Sequence, residues 1–318
     1  MKSNHEEGSV MARLVRVASV SFSGTGGGST SEVLERNLKA MVKLLKRAIL
    51  DEPDIICFPE CSPMLGLPNE KMVEAAQDRD GRVFRTMAEL AEEGETYIVC
   101  PMMERVGDKV YNSAVLIGRG GEYIGSYHKI HPTIGEIEAG VSPGVEPKTF
   151  KLDFGTVGFA ICFDLNFEDV VKGLTKNGAE LVFFPSMYPS GLQLKIWAFN
   201  YGIYMVSAYT GEGSMIVDPL GRVLATSSAY STIISKTINL DYEVFHLDYN
   251  HTKFEDMKRK YGSGIELDVI RPEATFMLTS NLKDVTVKDL IREFGLETRK
   301  EYFKRALRVR TKALKTQD

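Results

Sequence analysis

Leu14-Val15-Arg16-Val17-Ala18-Ser19-Val20-Ser21-Phe22 reads as a β-strand, and Asp54-Ile55-Ile56-Cys57-Phe58 reads as a second, shorter one. Between them, a segment that starts at Ser29 or Ser31 carries apolar residues at Val33, Leu34, Leu38, Met41, Val42, Leu45 and Ile49. Steps of three and four place these on one face of a helix, and a serine in front supplies the N-cap acceptor. A strand–helix–strand opening requires parallel or mixed pairing with helices laid on the sheet. The fold class that follows is α/β.

The same grammar continues outward. A helical stretch covers much of 69–93, followed by strands at Thr96–Pro101, Asn112–Ile117 and Glu122–Lys129; Gly118-Arg119-Gly120-Gly121 joins the last two as a hairpin. The second half repeats the pattern: strand Thr156–Ile161, a helix around Phe167–Thr175, strand Glu180–Phe184, a helix over about 192–202, and strand Ile203–Ala208. Short strands at Ser214–Val217 and Arg222–Ala225 flank the turn Asp218-Pro219-Leu220-Gly221. No Pro/Ser-rich linker separates the halves, so the pattern predicts one domain of pseudo-repeated halves. The expected organisation is a polar tail over 1–12, one α/β domain over 13–280, and a basic helical extension over 281–318 packed on the domain or on a partner subunit. That extension carries Arg299, Lys300, Lys304, Arg305, Arg308, Arg310, Lys312 and Lys315.

The 318 residues are 43% hydrophobic, and 39 Lys+Arg against 43 Asp+Glu give a net charge of −4. Such a balance excludes disordered and collagen-like classes and argues against a dedicated nucleic-acid surface. No run approaches the ~18 consecutive apolar residues of a membrane span, and the start lacks the apolar stretch of a signal peptide. The expectation is a cytoplasmic protein without membrane or nucleic-acid partners. Four cysteines are too few for a disulfide scaffold in a chain of this length. Cys57 and Cys61 have no second ligand pair after them and no histidine near them in sequence, so no metal site is expected. Gly24-Thr25-Gly26-Gly27-Gly28-Ser29-Thr30 lacks the lysine and the spacing of a phosphate loop and reads as a plain loop.

Three reactive residues stand at the carboxyl ends of predicted strands, where α/β sheets present ligands: Glu60, Lys129 and Cys162. A free thiol of pKa ~8.5 is only a few per cent thiolate at neutral pH and needs a base or a cation beside it. Glu60 can take the thiol proton, and Lys129 can stabilise the oxyanion formed when sulfur attacks a carbonyl or nitrile carbon. A Cys–His protease drawn from Cys162, His246 and Asn250 would leave Glu60 and Lys129 without a role, and the local context of such proteases is absent. His128 and His131 flank Lys129 and are expected to shape its loop. Met64, Leu65, Met187 and Tyr188 are candidates either for lining a substrate pocket or for core packing.

Phe58-Pro59-Glu60, His128-Lys129-Ile130-His131-Pro132 and Gly158-Phe159-Ala160-Ile161-Cys162-Phe163-Asp164, in that order, resemble the three signatures of the nitrilase superfamily, the carbon–nitrogen hydrolases. Asn37, Gly178-Ala179-Glu180, Phe184-Pro185-Ser186 and Ser214 to Gly221 extend the resemblance over about 14–245. The resemblance implies a four-layer αββα sandwich, self-association into a homodimer or higher homo-oligomer, and a Glu-Lys-Cys triad working without a cofactor. By it, Glu60 is the general base, Lys129 the oxyanion stabiliser and Cys162 the nucleophile, and the Phe163 backbone N–H completes the oxyanion hole. It also implies an auxiliary glutamate soon after the lysine, for which Glu136 and Glu138 compete, Glu136 having the better spacing. Phe163-Asp164 after the nucleophile resembles the amidase and carbamoylase branches, whereas Asn166-Phe167-Glu168-Asp169 departs from the common pattern. The expected activity is hydrolysis of a small amide or carbamoyl amide. Nitrile hydrolysis or N-acyl transfer by the same triad, and a non-catalytic binding or scaffold role, are the alternatives.

Overall fold

The computed structural model describes residues 12–315. Contacts divide the chain into two compact units, Val15–Ile238 and a second formed by Asn239–Asp318 with the N-terminal residues to Leu14. The expected tail over 1–12 lies outside the described residues except for Ala12. Residues 281–315, expected as a separate extension, belong to the same compact unit as 239–280.

In the larger unit the strands are β1 (Leu14–Val20), β2 (Ile55–Cys57), β3 (Tyr97–Val106), β4 (Lys109–Ile117), β5 (Tyr123–His128), β6 (Thr149–Lys151), β7 (Thr156–Phe159), β8 (Leu181–Ser186), β9 (Tyr204–Tyr209), β10 (Met215–Val217), β11 (Val223–Thr226) and β12 (Ile233–Asn239). They form two six-stranded sheets, ordered β12-β1-β2-β3-β4-β5 and β11-β10-β9-β8-β7-β6. Each sheet is mixed: β1–β2–β3 and β7–β8–β9 pair in parallel, and the outer hairpins are antiparallel. The helices are α1 (Thr30–Ile49), α2 (Asn69–Glu74), α3 (Arg82–Glu93), α4 (Ile134–Glu138), α5 (Glu168–Lys176) and α6 (Gly191–Tyr201).

The strand alternation assigns the layers. Ala18, Val20, Ile56, Ile98, Cys100 and Val115 point to one side of the first sheet and pack on Leu38, Met41 and Leu45 of α1 and Val83, Met87 and Leu90 of α3. Val182, Phe184 and Met205 pack likewise on Val170, Val171 and Leu174 of α5 and Leu194, Trp197 and Ala198 of α6. The other side of each sheet faces its counterpart: Ser19 Oγ donates to the Ser207 carbonyl at 2.7 Å, and Ser21 Oγ lies 2.7 Å from Ser214 Oγ. Helix, sheet, sheet and helix are the four layers of an αββα sandwich. Burial on both faces explains why β1, β2 and β8 read as nearly continuous apolar runs.

The smaller unit holds β13 (Tyr242–His246), β14 (Ile265–Ile270) and β15 (Thr275–Ser280) in an antiparallel sheet ordered β13-β15-β14, with α7 (Phe254–Tyr261), α8 (Val287–Phe294) and α9 (Arg299–Lys315). Its own core gathers Phe245, Met257, Ile265, Phe276, Leu278, Val287, Leu290 and Leu296.

Candidate active site

The inner face of the first sheet carries polar groups near the start of β4 and the end of β5. Leu116, Ala114 and Asn112 share that face on β4, and on β5 Tyr127 is followed two residues later by Lys129, whose N–H donates to the Asn112 carbonyl at 2.8 Å. Lys129 is only 1% exposed. Its Nζ lies 2.7 Å from Glu60 Oε1 and 2.8 Å from Glu136 Oε2. Burial works against the ammonium, yet Glu60 and then Glu136 outweigh it and hold the Lys129 pKa above the ordinary lysine value. The lysine therefore stays charged throughout the pH range of any reaction here.

Glu136 reaches Lys129 because of the helix on which it sits. Thr133 caps α4, and Glu136, at the third helical position, folds its side chain back so that Oε2 accepts from the Thr133 N–H at 2.7 Å. This capping box aims the carboxylate toward the N-terminal end of the helix, where Lys129 stands. Burial acts to raise the Glu136 carboxyl, but Lys129, Asn112 and Thr133 together leave it below the ordinary range. Glu138, two residues on, is exposed. The two glutamates that the spacing left in competition are thus separated: Glu136 pairs with Lys129, and Glu138 faces solvent.

Cys162 opens a 3-10 turn, Cys162–Asn166, separated from β7 by Ala160 and Ile161, and its φ of +48° places it in the left-handed region. A non-glycine residue there costs about 1–3 kcal/mol and persists only where neighbours hold it. Asp164 supplies that hold, accepting from the Ile161 N–H at 2.9 Å, the His131 N–H at 2.8 Å and the Tyr127 O–H at 2.8 Å. The turn that carries the sulfur is thereby pinned to the strand end that carries Lys129. Burial pushes the Asp164 carboxyl up in spite of these donors. Burial, and after it the Glu60 carboxylate, also push the Cys162 thiol well above the ordinary thiol range, with Lys129 opposing them only in part. Both influences favour the neutral thiol.

Glu60 follows β2 and is 2% exposed. Its Oε1 accepts from Lys129 and, at 2.8 Å, from Asn112 Nδ2, while Oε2 accepts from the Met187 N–H at 3.1 Å. Met187 therefore touches the site through its backbone. Tyr188 donates its hydroxyl to the Cys162 carbonyl at 3.2 Å, and the Phe163 ring lies edge-on to Phe167. A groove of about 610 Å³ adjoins the site through Tyr188 and Asn166 and runs past Leu165, Gln193 and Trp197; Glu60, Lys129 and Cys162 do not line it. His131 stacks on Phe167 and contacts Asp169, away from the acids around Lys129. Cys57, Cys61 and Cys100 are buried free thiols. Met64 and Leu65 are buried, packed in core clusters. Asn112 and Asp164 were not singled out from the sequence as site residues. For Asn112 the available signal is an amide in the middle of the apolar run Val110 to Ile117.

Among the described residues no group of three or more His, Cys, Asp or Glu side chains is placed to hold a metal ion. No helix among them is long and apolar enough to cross a membrane.

Comparison with known proteins adds three findings. The profile of the family described as carbon-nitrogen hydrolase matches residues 16–243. The omega-amidase NIT2 of Xenopus tropicalis is 27% identical over 240 residues, covering 67% of this chain and 86% of that protein. Among solved structures, Nit3 of Saccharomyces cerevisiae, a member of branch 10 of the nitrilase superfamily, superposes with a TM-score of 0.63 at 20% identity, covering 72% of this chain and 91% of that one.

Proposed function

The chain belongs to the carbon–nitrogen hydrolase family, as an amidase-like enzyme, and from that premise we propose that it cleaves a small amide or carbamoyl amide through a thioester on Cys162. The observation that carries this reading is the placement of Lys129 Nζ between Glu60 and Glu136, with the Cys162 thiol under the influence of Glu60 and Lys129.

In the proposed sequence Glu60 takes the thiol proton as sulfur bonds to the amide carbon, and the carbonyl electron pair moves onto oxygen. The Lys129 ammonium and the Phe163 N–H stabilise that oxyanion. On its collapse the carbon–nitrogen bond breaks, and ammonia or an amine leaves with the proton from Glu60. Glu60 then takes a proton from water, whose oxygen attacks the thioester; the acid departs, and sulfur recovers the proton. Glu136 holds Lys129 in place. Met187, whose N–H holds Glu60 Oε2, and Tyr188 border the substrate, and Glu138 lies outside the reacting centre. Acyl transfer would share the thioester and differ only in the second nucleophile.

The chain is further proposed to act as a homodimer or higher homo-oligomer, supported by the exposed apolar residues Leu192 and Ile196 on α6. A reducing compartment, the cytoplasm, suits its four free thiols.

Purified Cys162→Ala should show no turnover of a panel of aliphatic, aromatic and carbamoyl amides on which the wild type acts, with unchanged circular dichroism. Intact-protein mass spectrometry of the wild type should reveal an acyl adduct on Cys162, released by water faster than by added amine. Undiminished hydrolysis by Cys162→Ala would sink the assignment, and release that requires an amine would make the chain a transferase.

A further inference from the structure

A primary amide in a strand interior is costly unless its hydrogen bonds are made. Asn112 is 1% exposed in β4, with Val110 and Ala114 as its nearest same-face neighbours, and both N–H groups of its amide are directed at the acids of the site. Nδ2 donates at 2.8 Å to Glu60 Oε1 and at 2.7 Å to Glu136 Oε1. Oδ1 accepts from the Cys61 thiol at 3.6 Å. The flipped amide would set an acceptor against two carboxylates, so the network fixes the orientation.

We infer that Asn112 is a positioning residue that holds the Glu60 and Glu136 carboxylates in register on either side of Lys129 and leaves Glu60 Oε2 as the oxygen that receives the thiol proton. The inference rests on the reading of Glu60 as the base. Glu60, Lys129, Glu136 and Asn112 close a ring in which each carboxylate is bridged to the other twice, once by the ammonium and once by the amide. One cation between two buried carboxylates leaves an excess negative charge, which calls for further hydrogen-bond donors. A neutral donor shared between them supplies two such bonds without adding a charge. The same ring occupies Oε1 of Glu60 with two donors, whereas Oε2 has the Met187 N–H and a lone pair to spare. Cys61 completes the device: held with φ at +49°, it presents a thiol donor to Oδ1 and keeps both N–H groups on the acids.

The test uses full-length protein and reads the pH dependence of two rates: amide hydrolysis, and alkylation of Cys162 by iodoacetamide followed by peptide mass spectrometry. Asn112→Ala should lower kcat about 10- to 100-fold with KM changed less than about threefold, as misplacement of a reacting group does. A lost donor raises the pKa of a carboxylate, so the acid limb of both profiles should move up by about one pH unit. Cys61→Ala should shift the limb the same way by less, and Cys61→Ser, which restores a donor to Oδ1, should recover it. An unshifted acid limb in Asn112→Ala overturns the proposal, whatever the rate. If that variant does not fold, the Cys61 pair decides in its place, and equal profiles for its alanine and serine forms overturn it. Glu60→Gln, run in parallel, separates the two claims: persistence of the acid limb in that variant overturns the assignment of Glu60 as base, whereas its disappearance, with Asn112→Ala unshifted, overturns Asn112 alone.

Discussion

A lysine 1% exposed is tolerated because two carboxylates stand within 2.8 Å of its Nζ, and removing it would leave them facing each other. Breaking a buried charge network by deleting one partner typically costs about 3–5 kcal/mol. Lys129→Met, which keeps the bulk and drops the charge, should lose that order of stability at pH 7 together with all turnover. The pH dependence has a definite sign. The Glu136 carboxyl lies below its ordinary value, so its contribution is full above the unfolded-state pKa of about 4.3 and is lost as pH falls through the folded one. In the variant, acid protonates one of the two carboxylates and relieves their repulsion. The difference between wild type and Lys129→Met in urea unfolding should therefore narrow from pH 7 to about pH 4. An equal gap at both pH values would mean that Lys129 contributes packing rather than charge. At this scale Glu60, Lys129 and Cys162 stand out in the sequence because each follows an apolar strand, at the end where α/β sheets present ligands. Glu136 and Glu138 were not distinguishable, since a capping box on a five-residue helix, rather than distance along the chain, selects the one that turns inward. Asn112 lay hidden because a strand's period-two pattern predicts which face a residue occupies but not what it meets across that face.

Strand ends place the site residues, and the loop 140–148 braces the end of β5. Gly144 donates its N–H to the Lys129 carbonyl at 2.8 Å and lies against the backbone of His128. A Cβ at Gly144 would collide with the His128 carbonyl oxygen, a backbone atom that cannot rotate away. Gly144→Ala should shift the Lys129 rung and cost about 1–3 kcal/mol, as overpacking does. If it does so, kcat should fall by at least about tenfold while α1 and α3 remain folded by hydrogen exchange. Wild-type kcat in that variant would show that the loop yields instead of the strand. On the opposite face of the same rungs, His128 stacks on Tyr111 and pairs with the buried Glu104 at 3.3 Å, so β5 is held from both sides. The elements legible in advance were those with long periodic runs. The long helical stretch over 69–93 divides into α2 and α3 around Gln77, whose N–H and carbonyl bond to Met103 and Arg105 of β3. Strands β3 and β4 extend beyond their predicted ends through Glu104, Arg105 and Lys109, because a two-residue Gly107-Asp108 turn, with Gly107 at φ +58°, carries the ladder past charged positions. Strands β6 and β12 were not anticipated: the first is three residues long, and the second mixes Ser, Lys, Thr and Asn with its isoleucines.

At the scale of the molecule, the two β-α-β halves read from the sequence correspond to the two sheets: each half supplies the parallel strands of one sheet and the helices on its outer side, and β12, from beyond the second half, returns to the edge of the first sheet. The division at residue 239 was not legible, since no composition change marks it and the strands after it are short and partly polar. Residues 239–315 nonetheless bury an apolar set of their own, in which Phe245 stacks on Phe276 at 4.9 Å and Leu290 of α8 is fully buried. A separate core has a measurable consequence. Leu290→Ala opens a cavity, and large-to-small substitutions of this kind cost about 2–5 kcal/mol. Where cores are distinct, that loss is felt first by the amides whose opening exposes the cavity. Native-state hydrogen exchange should therefore show accelerated exchange along β15, between Thr275 and Ser280, with β8, between Leu181 and Ser186, unchanged. The matching substitution Leu174→Ala, in the α5 core of the larger unit, should reverse the pattern. Equal acceleration of both strands by either variant would mean that the chain opens as one cooperative body despite its two cores.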